Sequence, residues 1–168
     1  MTLDLMLDAD DEWDSSTDWA RLAEAAARAA IAESAWPQLA DGERAVELSV
    51  VLASDAEVRE LNSTWRGKDK PTNVLSFPQA EADDLDGAGA PGPELMLGDI
   101  VLAHETCTRE AEEKALSLEH HAAHLMVHGT LHLLGYDHLE DGTAEDMEAR
   151  ETRALARLGI GNPYEVAA

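Results

Sequence analysis

A chain of 168 residues with 45% apolar and 28% charged side chains has the size of one domain and the means to bury a core. A wholly disordered chain is therefore excluded, and a single domain over 1–168 is expected. The formal net charge of −23 excludes a broadly basic, unspecific nucleic-acid binder, since phosphate affinity draws on clustered Lys and Arg.

Leu3, Leu5 and Leu7 alternate with polar or softer residues and predict a half-buried strand. A helix is expected over 17–36, where Trp19, Leu22, Ala23, Ala26 and Ala30 repeat on one face. Val46, Leu48 and Val50 alternate with Glu47 and Ser49 as a second strand. Ser54 with Glu57 forms a capping box, after which Val58, Leu61 and Trp65 predict the buried stripe of a helix ending at Arg66. Two further apolar runs, 73–78 and 95–103, have strand character. Between them QAEADDLDGAGAPGPE, with five acids, no base, three glycines and two prolines, reads as a mobile hairpin loop with poor prospects of packing. Helices over 104–115 and 117–134 follow, and Thr143 with Asp146 predicts the cap of a fifth that closes at Gly159. The order βαβαββααα predicts an α+β fold, a four-stranded mixed sheet packed with about five helices. Apolar at Leu125, Met126, Val127, Leu131, Leu133 and Leu134, the fourth helix is expected at its centre.

Apolar stretches elsewhere are short and interrupted by charge, and the acidic start MTLDLMLDADDEWD is unlike a basic signal peptide. Neither a membrane span nor a signal peptide is expected. Cys107 stands alone, which rules out an internal disulfide, suits a reducing cytoplasm and leaves the thiol to helix packing.

The chemistry concentrates in HGTLHLLGYDH, where His128, His132 and His138 form His-x3-His-x5-His. Residues four apart return to one helical face about one turn on, so His128 and His132 can grip a single ion. Gly135 falls where a helix commonly stops, because glycine tolerates the left-handed conformation that swings the chain around, and His138 can return from beyond it. Three neutral imidazoles and one open position describe a catalytic zinc site, with one Zn2+ per chain. Asp137 competes with His138 for the third place, though His138 has the matching spacing; Asp137 could instead orient a ligand ring or face solvent. The same spacing occurs in metzincin peptidases, whose glutamate after the first histidine serves as base. Here that position is Gly129, which can move no proton.

The wider string His124–His138 resembles the signature of the YbeY family of bacterial endoribonucleases and rRNA maturation factors. A second block, NSTWRGKDKPTNVLSFP over 62–78, and a third, Leu97-Gly98-Asp99-Ile100, agree with it in order. The resemblance implies a metal-dependent endoribonuclease acting on single-stranded RNA, the precursor of small-subunit rRNA, in ribosome maturation and in the removal of defective ribosomes. It implies His128, His132 and His138 as metal ligands and Arg66 as the catalytic arginine. It also implies the small ribosomal subunit, one of its proteins and the GTPase Era as partners, with no membrane or DNA.

Arg59, Arg66, Lys68 and Lys70 are four of only twelve basic residues, and their segment is the one plausible landing strip for phosphate; each could instead pair with a nearby acid. His124 lies one turn before His128, too far along a straight helix to share the ion directly, and suits a role behind the ligands or facing substrate. His120 and His121 read as ordinary helix histidines. Asp99 could transfer protons or make a turn contact, and Ser76 could touch substrate or complete a strand. No base is assigned among them. Two other readings remain: a metallopeptidase or other metallohydrolase with a borrowed cage, and an assembly factor in which the metal only stabilises the fold.

Overall fold

The computed structural model describes residues 3–37, 39, 45–69, 72–80, 85, 94–136 and 141–161. In chain order these form β1 (Leu3–Ala9), α1 (Trp19–Ala32), β2 (Val46–Ala53), α2 (Asp55–Arg66), β3 (Val74–Pro78), β4 (Leu95–Ala103), α3 (His104–Glu113), α4 (Leu118–Leu133) and α5 (Asp141–Arg157). The strands make one mixed sheet in the order β1-β2-β4-β3, with β1, β2 and β4 parallel and β3 antiparallel to β4. This is the α+β architecture expected, with five helices among the described residues. None of these helices is long and apolar enough to cross a membrane.

A single irregularity in β4 sets which residues face which layer. Glu47 pairs with Met96 but Leu48 pairs with Gly98, so one residue is inserted at Leu97. Such a bulge reverses the alternation of side chains beyond it. Leu95 and Leu97 before it, and Ile100 and Leu102 after it, therefore all enter the main core, while Asp99 and Val101 turn to the opposite face. Gly98 adopts φ 143°, and a Cβ there would lie 2.3 Å from the Phe77 carbonyl oxygen. Only glycine fits the bulge.

The main core lies between one sheet face and the helices α1, α4 and α5. Leu125, Met126, Val127, Leu131, Leu133 and Leu134 of the α4 segment are all buried, and truncation of one such side chain costs about 2–5 kcal/mol. Gly129 brings the helix onto β4, since a Cβ there would stand 2.9 Å from Ile100 Cγ2. On the other face a smaller core gathers Ala53, Val58, Leu75, Val101 and Ala103 beneath α2. The N-termini of α2 and α3 cap each other. Asp55 accepts from Thr106 N–H at 2.9 Å and its hydroxyl at 2.8 Å, and Glu105 accepts from Asp55 N–H at 2.6 Å.

The structure corrects four expectations. Trp65 does not complete a buried stripe; it is 70% exposed, because α2 closes onto the sheet at Val58 and leaves an open groove between Trp65 and the strands. The hairpin segment between β3 and β4 does pack in part: Leu85 is 2% exposed and joins the main core, its apolar side chain outweighing its acidic neighbours. α1 spans Trp19–Ala32 rather than 17–36, with Asp18 accepting from Arg21 N–H as its N-cap. α5 begins at Asp141, so Thr143 lies inside its first turn instead of capping it.

Asn73, from the second motif block, ties three elements. Its carbonyl accepts from Ala103 N–H, and its amide donates to Glu110 Oε1 at 3.1 Å. The same carboxylate oxygen lies 2.9 Å from Nε2 of His121, which is 1% exposed. Cys107 beside them is buried, and burial pushes its thiol up to about 12, so it stays protonated as a packing residue. Burial also holds the His121 imidazole below its usual value; Lys114 and His124 act in the same direction, and Glu110 opposes them only in part. For Glu110, burial raises the carboxyl, but hydrogen bonds from His121 and Asn73 outweigh it and leave the group below the usual range. Both groups thus bind fewer protons folded than unfolded, and their stabilisation is complete above the unfolded values of about 6.5 and 4.3 and lost as pH falls. The urea midpoint is expected to drop between about pH 7.5 and 5.5, and to drop less in His121→Gln. Equal slopes in the two proteins would remove His121 from this account.

Candidate metal centre

Ser117 accepts from His120 N–H at 3.1 Å and starts α4, whose sixteen residues set His128 and His132 one turn apart on one face. Their rings converge: His132 Nε2 lies 3.0 Å from His128 Nε2, with ring centroids 4.5 Å apart. The helix then ends as predicted. Gly135 adopts φ 95°, its N–H donating to the His132 carbonyl and Tyr136 N–H to the Leu131 carbonyl, both at 3.0 Å. These two bonds form a Schellman stop.

Tyr136 fixes the direction in which the chain leaves. Its hydroxyl accepts from Ala35 N–H at 2.9 Å, its ring meets Trp36 edge-on, and Arg150 lies over it at 4.8 Å. The chain is thereby anchored two residues before position 138. His138 and Asp137 lie outside the described residues, as do Lys70 and Pro71 of the second block.

The residue that organises the pair is Glu151 of α5, which the sequence reading passed over. Its carboxylate is fully buried, with Oε1 2.5 Å from His128 Nδ1 and Oε2 3.2 Å from His124 Nε2. A carboxylate can only accept, so His128 donates from Nδ1 and its Nε2 keeps a lone pair aimed toward His132. His124 therefore stands behind the pair, sharing Glu151 with His128. The sequence signal for Glu151 was an acid on the buried stripe Met147, Glu151, Ala154, Leu155, at i, i+4, i+7 and i+8.

This donor set fits a divalent metal. Two imidazole nitrogens bound to one tetrahedral zinc ion at about 2.0–2.1 Å stand roughly 3.3 Å apart, close to the 3.0 Å between the two Nε2 atoms. A ligand histidine also characteristically donates its other nitrogen to a carboxylate that sets its tautomer. Two exposed surface groups, Glu12 with His104 and Glu105, and Asp4 with Glu47 and Glu94, also bring three donors near one another. Neither has a buried supporting carboxylate, and Glu105 is already engaged in capping Asp55.

Arg66 and Asp99 are not brought into the histidine cluster. Asp99 follows the bulge and faces the α2 layer, where its Oδ2 accepts from Gln79 Nε2 at 3.0 Å. Arg66 is the last residue of α2, exposed, its guanidinium without a hydrogen bond or ion pair to any described residue. Ser76 of β3 pairs with Ile100 of β4. Of the basic segment, Arg59 is spent on a two-point contact with Asp69, at 2.7 and 3.1 Å, whereas the ammonium of exposed Lys68 has no partner among the described residues. His120 is exposed, and its backbone N–H serves the Ser117 cap.

The family model described as "Endoribonuclease YbeY" matches residues 8–159. Relatives of that name include one from Sphingopyxis alaskensis, 56% identical over 90% of this chain and 91% of its own length. Another from Rhizorhabdus wittichii is 47% identical over 98% of both chains, and one from Novosphingobium aromaticivorans is 52% identical over 96% of both. The solution structure of TM1509 from Thermotoga maritima shares the fold, with a TM-score of 0.54 at 23% identity over 96% of this chain and 99% of that one.

Proposed function

This chain belongs to the endoribonuclease YbeY family, and from that membership we propose that it is a zinc-dependent endoribonuclease cutting single-stranded RNA during maturation of small-subunit rRNA. One geometric observation carries the metal part of this reading: two imidazoles 3.0 Å apart, one keyed by a buried glutamate, at the start of a three-histidine motif. His128 and His132 would hold the ion from α4, and His138 would supply the third nitrogen. When bound, zinc supplies Lewis acidity, polarising a phosphoryl oxygen and acidifying water near neutral pH.

The chain's own residues then have separable tasks. Glu151 keeps the His128 proton on Nδ1, so Nε2 is available without a protonation change. Arg66, whose guanidinium has no resident partner among the described residues, takes the RNA phosphate in a two-bond fork and offsets charge that grows there during cleavage. Lys68 adds a second positive charge beside it. Gly129 argues against peptidase chemistry: that position packs against Ile100, with no space for the acid a peptidase uses. The acting unit is a single domain over 1–168, working in the cytoplasm with the small ribosomal subunit, one of its proteins and the GTPase Era. Its role extends to ribosome quality control.

Arg66→Ala tests the reading. Exposed on α2, Arg66 can be removed without a folding penalty, and surface changes of this kind stay within about 0.5 kcal/mol. The variant is expected to retain metal and to lose about 10²-fold in kcat on a single-stranded oligoribonucleotide. Undiminished cutting by a metal-loaded variant would remove Arg66 from the reaction. A purified wild type that binds zinc yet cuts no RNA would overturn the enzymatic assignment. The product ends identify the nucleophile: a 2′,3′-cyclic phosphate marks attack by the substrate's own 2′-hydroxyl.

A further inference from the structure

Trp65 is the most exposed of the large apolar side chains among the described residues, ahead of Met6 at 63%. It forms one wall of an open groove of about 410 Å3, with Leu61 of α2, Val51 of β2, Phe77 of β3, and Asp99 and Val101 of β4. The groove is the part of the sheet face that α2 leaves uncovered. Val58 fills the covered part and is fully buried, whereas Leu61 and Phe77 are only partly so.

Three features of this groove select its occupant. Arg66 follows Trp65 and Lys68 comes two residues later; both are exposed, and their charged ends have no partner among the described residues, so in a chain of net charge −23 the end of α2 beside the groove is a local attractor for a polyanion. The wall holds two aromatic side chains, Trp65 and Phe77, which favour a flat π-system. At its floor the Asp99 carboxylate, with Oδ2 held by Gln79 at 3.0 Å, can accept from an N–H edge through its other oxygen. An acyl chain has neither the flat face nor the donors. A nucleobase on a phosphodiester backbone has all three.

We propose that this groove is a stacking subsite for one unpaired nucleobase of the RNA substrate, with Trp65 as its platform and Arg66 and Lys68 on the flanking phosphates. The proposal rests on the endoribonuclease reading and deepens it, because a base already stacked in a duplex cannot enter. The subsite thus gives a physical origin for single-strand preference.

The test uses the metal-loaded full chain and a single-stranded oligoribonucleotide, intact or with one base at a time removed to leave an abasic sugar. In the wild type, removal of one particular base is expected to raise KM about tenfold with little change in kcat, the size of one base–aromatic stack. Trp65→Ala should raise KM on the intact strand by a similar factor and lose sensitivity to that abasic position, while Trp65→Phe retains most of the affinity. Met6→Ala, which removes an equally exposed side chain at the far edge of the sheet, should change neither. A wild-type KM in Trp65→Ala, or additive effects of that variant and the abasic position, would overturn the subsite. Binding is followed independently of cutting through quenching of tryptophan emission by the intact strand. Loss of the quench in Trp65→Phe supports the subsite even if no RNA is cut, and its full persistence overturns the subsite. Absence of cutting alone counts only against the enzymatic reading.

Discussion

Replacing His132 with alanine is expected to abolish stoichiometric metal binding and to lower RNA cleavage by about 10³-fold or more, the loss of several kcal/mol of Lewis-acid stabilisation. The effect is large because the site is built from few donors. With His132 removed, His128 is the one motif histidine left on α4, and His138 would have to close the site from outside the helix. Folding should survive, since His132 is only partly buried and its neighbours Leu131 and Leu133 remain in the core. Metal content after dialysis, read beside circular dichroism and cleavage, checks this. A folded His132→Ala protein that keeps one tightly held ion would show that the motif is not the metal site, whatever its activity.

Glu151→Gln is the second large effect, and it acts without touching a donor. The substitution keeps the shape and removes the charge, and an amide can present an N–H where the carboxylate presented an acceptor to His128 and His124. His128 then loses the contact that fixed its tautomer, and metal affinity is expected to fall by about 10- to 100-fold. Leaving a buried donor unmatched should also destabilise the apo protein by about 1–3 kcal/mol. Competition with a zinc chelator measures the first effect and a urea titration of apo protein the second. Wild-type affinity in this variant would reduce Glu151 to a packing contact.

The elements that could be read in advance were those with strong local signals. Alternation located two strands and apolar runs the other two, the α4 apolar run predicted a central helix, and Gly135 marked its stop. The pairing of His128 with His132 followed from helical spacing alone. What escaped depended on tertiary contacts. Glu151 lies 23 residues from His128 and reveals itself only as an acid on the apolar stripe of another helix. Trp65 continued a buried periodicity correctly, but no local pattern reports how closely a helix lies on the sheet along its length. Leu85 sat among acids, and only the three-dimensional core shows that its side chain had somewhere to go. The orientation of Asp99 was hidden by the bulge at Leu97, because a simple two-residue period has no means of marking an inserted residue. Arg66 was singled out through its motif block, because nothing in its local pattern sets it apart from the other exposed residues at the end of α2.

That inserted residue has a further consequence for how this protein can change. Half of β4 is out of phase with the other half, so the strand's length carries information that its composition does not. Shortening it by one residue at the kink would preserve every hydrophobic side chain, yet would turn Leu95 and Leu97 to the outside or carry Asp99 into the layer beneath the metal helix. The two faces of the sheet, one serving the ion and the other the open groove, are kept distinct by a one-residue count, and drift in that count would be felt on both at once.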